Sequence, residues 1–390
     1  MVEIGKEEIV NLDNMADGIS EVRPDKKRKK ENKQIKKNKK KKMKKSIRAL
    51  IAVGVVIAIL VSGYLVMIFG NIPFITKWRN IWIETAMTTD QHKWMATSFF
   101  PDWLIESIMG EQMDNKEISV TQITDIYGNK SGDILGQENL VEGEKDKFGN
   151  VVYANNKEEG IVILNLKTSN FVGKLVMVDD PSRVVMASTD YKGARGEFIC
   201  TYLEKYDAIV GVNASAFKDP EGKGIGGSVA GLCVSEGEYW GTYRSRFTLV
   251  GFDDKNRLVV GGMENWEDYN IRDGFQYHPS LIINGEKVVK DSAGWGLQPR
   301  TVIGQCANGV VLILVADGRQ IGYSLGATME DCADILLQYG AVTAGACDGG
   351  SSSVIAYDGE IINEPCTNMP TGRYLPNAWV VKSKTAQSNN

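Results

Sequence analysis

Ala49 to Gly70 reads ALIAVGVVIAILVSGYLVMIFG, 22 residues without a charge, and this run divides the chain in two. At 1.5 Å per residue it makes about 33 Å of helix, enough to cross a hydrocarbon core of about 30 Å. A buried globular helix seldom runs this long without a polar face. A cleaved signal peptide is disfavoured by the 48-residue leader, the length of the run and the weak small-x-small pattern after it. The expectation is one transmembrane helix over 49–70. Residues 1–48 carry 17 Lys and Arg against 8 Asp and Glu, and the rest of the chain 28 against 41. A basic block before a span places residues 1–48, a basic tail, in the cytoplasm and the remainder outside. The expected location is therefore the cell membrane, single-pass, with an extracellular C-terminal domain. Taken alone, Lys26–Lys45 also suits a nucleic-acid arm. Lysines beside a span already have a sufficient cause, however, so the expected partner is anionic lipid and not nucleic acid.

Beyond the span, residues 71–110 interleave Trp78, Trp82, Trp94, Phe99, Phe100 and Trp103 with polar positions, as membrane-proximal amphipathic helices do. Residues 111–158 are polar and broken by Gly and Asn, and read as a linker. From 159 to 384 short apolar segments recur between Asp, Gly and Asn, and 385–390 is a polar tail. The pattern predicts strands at 161–166, 172–178, 183–188, 208–212, 247–252, 258–260, 280–283, 310–315, 342–346 and 354–357. Hairpin turns are expected at Asn284-Gly285 and Asp358-Gly359. Helices are expected over 196–206 and 329–339, the second capped by Thr328 with Asp331 three residues on and stopped at Gly340. That helix joins strand 310–315 to strand 342–346, a β-α-β unit. The fold class is α+β with a mixed sheet, preceded by one transmembrane helix. Six cysteines without a CxxC pair permit fifteen disulfide pairings outside the membrane, or serve as small buried hydrophobes.

Two histidines, His92 and His278, leave too few ligands for a histidine-rich zinc hydrolase. No GxSxG elbow, Walker A or dinucleotide fingerprint occurs. What remains is carboxylates, arginines and amides at strand ends. One strand runs into Asp317-Gly318-Arg319, the next into Asp348-Gly349-Gly350-Ser351-Ser352-Ser353. Parallel strands share a carboxyl end, so Asp317 and Asp348 are expected at one sheet edge. Such a pair suits acid–base work or a divalent cation. The Gly349-Gly350 turn offers backbone N–H groups and hydroxyls to an anionic, hydroxyl-rich ligand. Arg300 and Arg319 suit bidentate phosphate binding, and Asn213 a sugar hydroxyl. The bland alternatives are a tight turn, surface ion pairs and an Asx-turn.

GVNASAF (211–217), RTVIGQ (300–305), LVADGRQIGYSLGATMEDCADILLQYGAVTAGACDGGSSS (314–353) and RYLPNAWVV (373–381) resemble, in order and spacing, the phosphodiester glycosidase family, over roughly residues 185–381. The resemblance implies hydrolysis of a sugar-1-phosphodiester, with a cell-envelope or exopolysaccharide glycan as the expected substrate. It implies Asp317 and Asp348 as acid, base or metal ligands, and Arg300, Arg319 and Arg373 on phosphate. Asn213, Ser352 and Asn377 would contact sugar or shape the pocket, with Gly349 and Gly350 lining it. A divalent cation is the one cofactor such a site would take. The chain departs from the family pattern at Ser351, where a third Gly is usual, at Cys347, and at Ala214-Ser215. A membrane-anchored glycan-binding scaffold without turnover is the alternative reading.

Overall fold

The computed structural model describes residues 26–89, 92–111, 126, 132–134, 136–219, 224–245, 247–261 and 266–384. Most of the acidic residues of the N-terminal tail and the C-terminal tail at 385–390 lie outside them. The chain forms two units, 1–70 and 71–390.

The first unit is one helix, α1 (Lys26–Phe69), continuous through the basic block and the apolar run. Its apolar residues are exposed, Leu50 by 70% and Leu60 by 67%. A helix so long and apolar is a candidate membrane span, and a signal sequence near an N-terminus has the same character.

The second unit begins with α2 (Pro73–Met87), α3 (Trp94–Thr97) and α4 (Asp102–Glu111). Helices were expected here at a membrane surface. The outward aromatic side is present: Phe74, Trp78, Trp82, Trp94, Phe99 and Trp103 are exposed. The other side of α2 is not solvated, because Ile81, Ile83, Glu84 and Ala86 are buried within the domain. The stretch expected to be a linker also contributes structure. Val151–Asn156 alternates inward Val152 and Ala154 with outward residues and forms the edge strand β1. Its polar flanks hid a period-2 pattern only a few residues long.

Three sheets make up the rest. The largest has the order β1, β2 (Ile161–Lys167), β3 (Val172–Val178), β14 (Val311–Ala316), β13 (Arg300–Cys306), β15 (Ala341–Ala346), β11 (Ser280–Ile283), β12 (Glu286–Lys287). The second runs β7 (Glu238–Gly241), β6 (Leu232–Ser235), β10 (Ile271–Tyr277), β8 (Thr248–Asp253), β9 (Leu258–Gly261). The third runs β17 (Glu360–Ile361), β16 (Ile355–Tyr357), β5 (Ala208–Asn213), β18 (Asn377–Lys382), β4 (Val184–Ser188). Every residue of β14 is buried, because α6 (Met329–Gln338) and the second sheet contribute to one core around it. At about 25 cal/mol per Å² of apolar area, this continuous core is the main stabilising term. Helix α5 (Ile199–Lys205) covers the third sheet, and Trp379 of β18 packs against Phe252 and Phe275 of the second. Helix α6 has the expected cap: Asp331 N donates to Thr328 Oγ1 at 3.0 Å and Thr328 N to Asp331 Oδ2 at 2.9 Å.

The α+β class stands, with one topological correction. β14 and β15 run parallel as expected of a β-α-β unit, but β13 lies between them and pairs antiparallel with both. Its polar residues Arg300, Thr301 and Gln305 interrupt the apolar pattern, and the segment was not among the expected strands. Gln305 accepts from Leu258 N at 2.6 Å and Thr301 donates to Asn213 at 2.7 Å, so neither is left unpaired. All six cysteines are free thiols, four of them buried. Burial pushes Cys233, Cys306 and Cys332 up to about 12, as for inert core thiols.

Candidate functional site

Strand register assembles the site. Arg300, the first residue of β13, pairs with Ala316, and Val302 pairs with Ala346. The carboxyl ends of β14 and β15 and the amino end of β13 therefore meet at one sheet edge. Asp317, Asp348 and Arg300 are brought there together, although β13 separates the two aspartate strands.

The Asp348 turn is held from behind. Asp348 N donates to Ala214 O at 2.8 Å, and Asn213 Nδ2 donates to Asp348 O at 2.7 Å. Gly349 is required by crowding, since a Cβ there would lie 2.8 Å from Pro299 O. Gly350 has φ +61°, a conformation that suits glycine, and begins a short 3-10 turn over Gly350–Ser352. The Gly349 N–H and the Tyr277 hydroxyl lie beside the Asp348 carboxylate. Burial pushes it up to about 6. The Ser352 hydroxyl, the Arg373 guanidinium and these two donors each favour its ionised form without outweighing that burial. Ser352 is 2% exposed and its Oγ, although directed at this carboxylate, completes no hydrogen bond of standard geometry.

Three guanidinium groups surround the turn. Arg300 is buried, and its donors meet only carbonyls: Ala327 O at 3.1 Å, Trp295 O at 3.0 Å and Gly296 O at 2.8 Å. Its remaining nitrogen, Nη1, points to Gly349. Burial pulls Arg300 down to about 10. Arg319, at φ +59° in the Asp317-Gly318-Arg319 turn, donates from Nε to Gln298 Oε1 at 2.5 Å and lays its two terminal nitrogens beside Gly350. Burial also lowers Arg319, as does repulsion from Arg373. Arg373 donates to Ser351 Oγ at 3.0 Å and to Asp219 Oδ2 at 2.6 Å, with its guanidinium 4.8 Å from the Phe217 ring centre. Among the described residues, Arg373 alone of the three has a carboxylate in ion-pair contact. Arg300, buried, and Arg319, exposed, flank the two glycines of the turn, an arrangement of guanidinium groups suited to an anion.

The predicted residues thus separate into two groups. Asp348, Gly349, Gly350, Ser352, Arg300, Arg319 and Arg373 share one turn. Asn213 and Asn377 are fully buried struts. Asn213 accepts from Thr301 and Val354 while holding Asp348, and Asn377 accepts from Ser215 N and Oγ at 2.9 and 2.8 Å. Both brace the Asp348 turn and the strand ends beside it from within the core. Asp317 lies at the expected edge with both oxygens occupied, by Asn363 at 2.8 Å, Tyr323 at 3.0 Å and Glu364 N at 3.2 Å. It pins the loop that follows β17. Burial raises its proton affinity against those three donors. Among the described residues no three His, Cys, Asp or Glu groups come together to hold a metal. A collar of three arginines is a poor donor set for a divalent cation, so no step here is routed through one.

Sequence reasoning missed Tyr277, Gln298 and an aromatic group beside them. Phe247, His278 and Trp295 lie in series, with ring centres 5.2 Å apart at each step. Burial lowers the His278 pKa. Phe247 also lines a cavity of about 420 Å³ with Lys218, Ala230, Arg244 and Ser245, within the usual range for small-ligand pockets. None of these residues sits in a motif. The fold alone gathers them, from β10, the loop before β13 and the loop before β8.

Residues 206–382 match the phosphodiester glycosidase family. The SPbeta prophage-derived uncharacterized protein YomE of Bacillus subtilis is 26% identical over 207 residues, which is 50% of this chain and 31% of that protein. The chain thus spans about a third of that relative's length. Among solved structures, the catalytic domain of zebrafish N-acetylglucosamine-1-phosphodiester alpha-N-acetylglucosaminidase, auto-inhibited by its pro-peptide, is similar at 16% identity and a TM-score of 0.47. The similarity covers 63% of this chain and 87% of that one. A putative exported protein from Burkholderia pseudomallei is similar at 14% identity and a TM-score of 0.43, covering 56% and 75%.

Proposed function

We propose, from the phosphodiester glycosidase pattern of residues 206–382, that this chain is a membrane-anchored hydrolase of sugar-1-phosphodiester bonds. Its domain would lie outside the membrane and act on a phosphorylated glycan of the cell envelope or an exopolysaccharide. The observation that carries the reading is the arginine collar, with Arg300 and Arg319 held by neutral acceptors at the Asp348 turn. Such a site stabilises charge that collects on a departing phosphate. A phosphomonoester is a good leaving group once its charge is balanced, so the demanding task is to activate water.

Asp348 is suited to that task. Water attacks the anomeric carbon, the C1–O bond breaks, the phosphomonoester leaves against the arginines, and the water proton passes to the Asp348 carboxylate. Phe247, His278 and Trp295 offer an apolar wall for the sugar. With the carboxyl at about 6, the working ionised form fills as pH rises through that value, and kcat/KM rises with it.

The test is turnover by the full chain in lipid nanodiscs on a panel of sugar-1-phosphodiesters in ¹⁸O water. The label is expected in the sugar and not the phosphate, with an inflection near pH 6 that disappears in Asp348→Asn. No turnover across the panel, or full activity in Asp348→Asn, sinks the proposal. Against the scaffold alternative, which rests on Ser351 and Ala214 at glycine positions, the Ser351 hydroxyl is engaged by Arg373.

A further inference from the structure

Helix α2 lies outside the family match, directly after the apolar helix, yet it contacts the loop that leads into Arg300. Thr85 Oγ1 accepts from Leu297 N at 2.9 Å. Gln298 Nε2 donates to Thr85 O and to Thr88 Oγ1, each at 3.1 Å. Thr88 Oγ1 in turn donates to Glu84 O at 2.8 Å, which leaves its lone pairs for Gln298. Glu84, 1% exposed, accepts from Ser292 Oγ. Gly296 has φ +60°, and a Cβ there would overlap Thr85, so the loop is built for this close approach.

An amide has one donor end and one acceptor end. With both acceptors of α2 on the nitrogen of Gln298, the oxygen is turned toward Arg319 Nε at 2.5 Å. Gln298 is 2% exposed, and its backbone bonds Ala327 in both directions, so the side chain has little other freedom. A carboxylate at this position would also hold Arg319 but would cancel its charge. The neutral amide orients the guanidinium and leaves the charge for a ligand.

We propose that α2 is a positioning element of the anion site: Thr85 and Thr88 set the Gln298 amide, and Gln298 sets Arg319 over the Gly349-Gly350 turn. The segment next to the candidate span is thereby part of the pocket and not a spacer. The inference rests on reading the arginine collar as a phosphate site, and the experiment separates the two.

Inorganic phosphate is titrated calorimetrically into the full chain in nanodiscs, with variants Thr88→Val, Thr88→Ser and Gln298→Glu. Thr88→Val removes the hydrogen bond to Gln298, together with the hydroxyl's bond to Glu84 O within the helix, and loss of the first is expected to weaken phosphate about fivefold, the ratio set by ~1 kcal/mol. Thr88→Ser restores binding to the parent level. Gln298→Glu, which places a carboxylate on Arg319, weakens it by more than Thr88→Val does, and its affinity recovers as pH falls and that carboxylate protonates. Parent-level affinity in both Thr88→Val and Gln298→Glu overturns the positioning role and leaves the collar standing. A Thr88→Val loss that Thr88→Ser does not restore marks helix disruption and overturns it too. Absence of phosphate binding by the parent overturns the collar and this inference together.

Discussion

Asp317-Gly318 and Asp348-Gly349 are sister turns: each ends an apolar strand at the same sheet edge, and the two strands run parallel. Their surroundings differ completely. Asp317 meets three donors, from Tyr323, Asn363 and Glu364, and closes a loop. Asp348 meets Tyr277 and the Gly349 N–H, with an unsatisfied Ser352 hydroxyl and three guanidinium groups around it. One carboxylate has its hydrogen-bonding capacity filled by the fold, and the other keeps capacity for a ligand. The difference teaches that an Asp-Gly strand end is a site only where the following chain withholds its donors.

The largest effect expected from this comparison is on activity. Asp348→Asn should lower kcat/KM about a thousandfold, the scale of a lost acid–base group. The same variant should melt higher than the parent at pH 7. The sign follows from the shift: burial raises the folded-state pKa to about 6, above the unfolded value of about 3.9. The contribution of this carboxyl to stability is thus full below about pH 4 and lost as pH rises through about 6. The amide removes that cost at neutral pH, and calorimetric melting of both proteins between pH 4 and 8 checks it. Asp317→Ala should do the opposite. It strands three donors, costs about 2 kcal/mol in denaturant unfolding, and leaves turnover in the fraction that folds. Exchanged outcomes would break the comparison and make Asp317 the working carboxylate.

An intermediate effect is expected at the backbone. Gly350→Ala forces a side chain into φ +61° and against Arg319, whose nearest nitrogen would lie 3.1 Å from the new Cβ. The strain of about 1 kcal/mol should appear in the unfolding free energy, and the displaced guanidinium as a higher KM. A higher KM without any loss of stability would show that the collar moves more easily than the turn.

How much of this was legible in the chain itself follows the range of the interactions. Strand ends at Asp317 and Asp348, the Thr328 cap and the glycine turns are local patterns, and each was readable. The hairpins at Asn284-Gly285 and Asp358-Gly359 also form as expected, with both residues of each pair at positive φ. Strand β13 was not readable as a strand, because Arg300, Thr301 and Gln305 look like breaks until their distant partners are known. The aromatic series of Phe247, His278 and Trp295 and the Gln298 contacts were hidden for the same reason. Thr88 and Gln298 are 210 positions apart, and no spacing rule connects them. Asn213 and Asn377 show the converse: the family pattern singled them out, and both are fully buried with their amides bonded inward.

The smallest effect is expected at Ser351, where the chain departs from the family's third glycine. Its hydroxyl accepts from Arg373 Nη1 at 3.0 Å, while Asp219 takes the other end of that guanidinium at 2.6 Å. Ser351→Gly therefore removes one of two anchors and leaves the ion pair. A partly exposed hydrogen bond to a charged group contributes roughly 1.5 kcal/mol at most, so KM should rise by less than about tenfold with kcat unchanged. Asp219→Asn in the same background should add a further loss, because Arg373 then keeps neither anchor and only its stacking on Phe217 remains. If Ser351→Gly instead raises kcat, the hydroxyl obstructs the turn, and the open character assigned to the Asp348 side of the comparison belongs to the family's glycine and not to this chain.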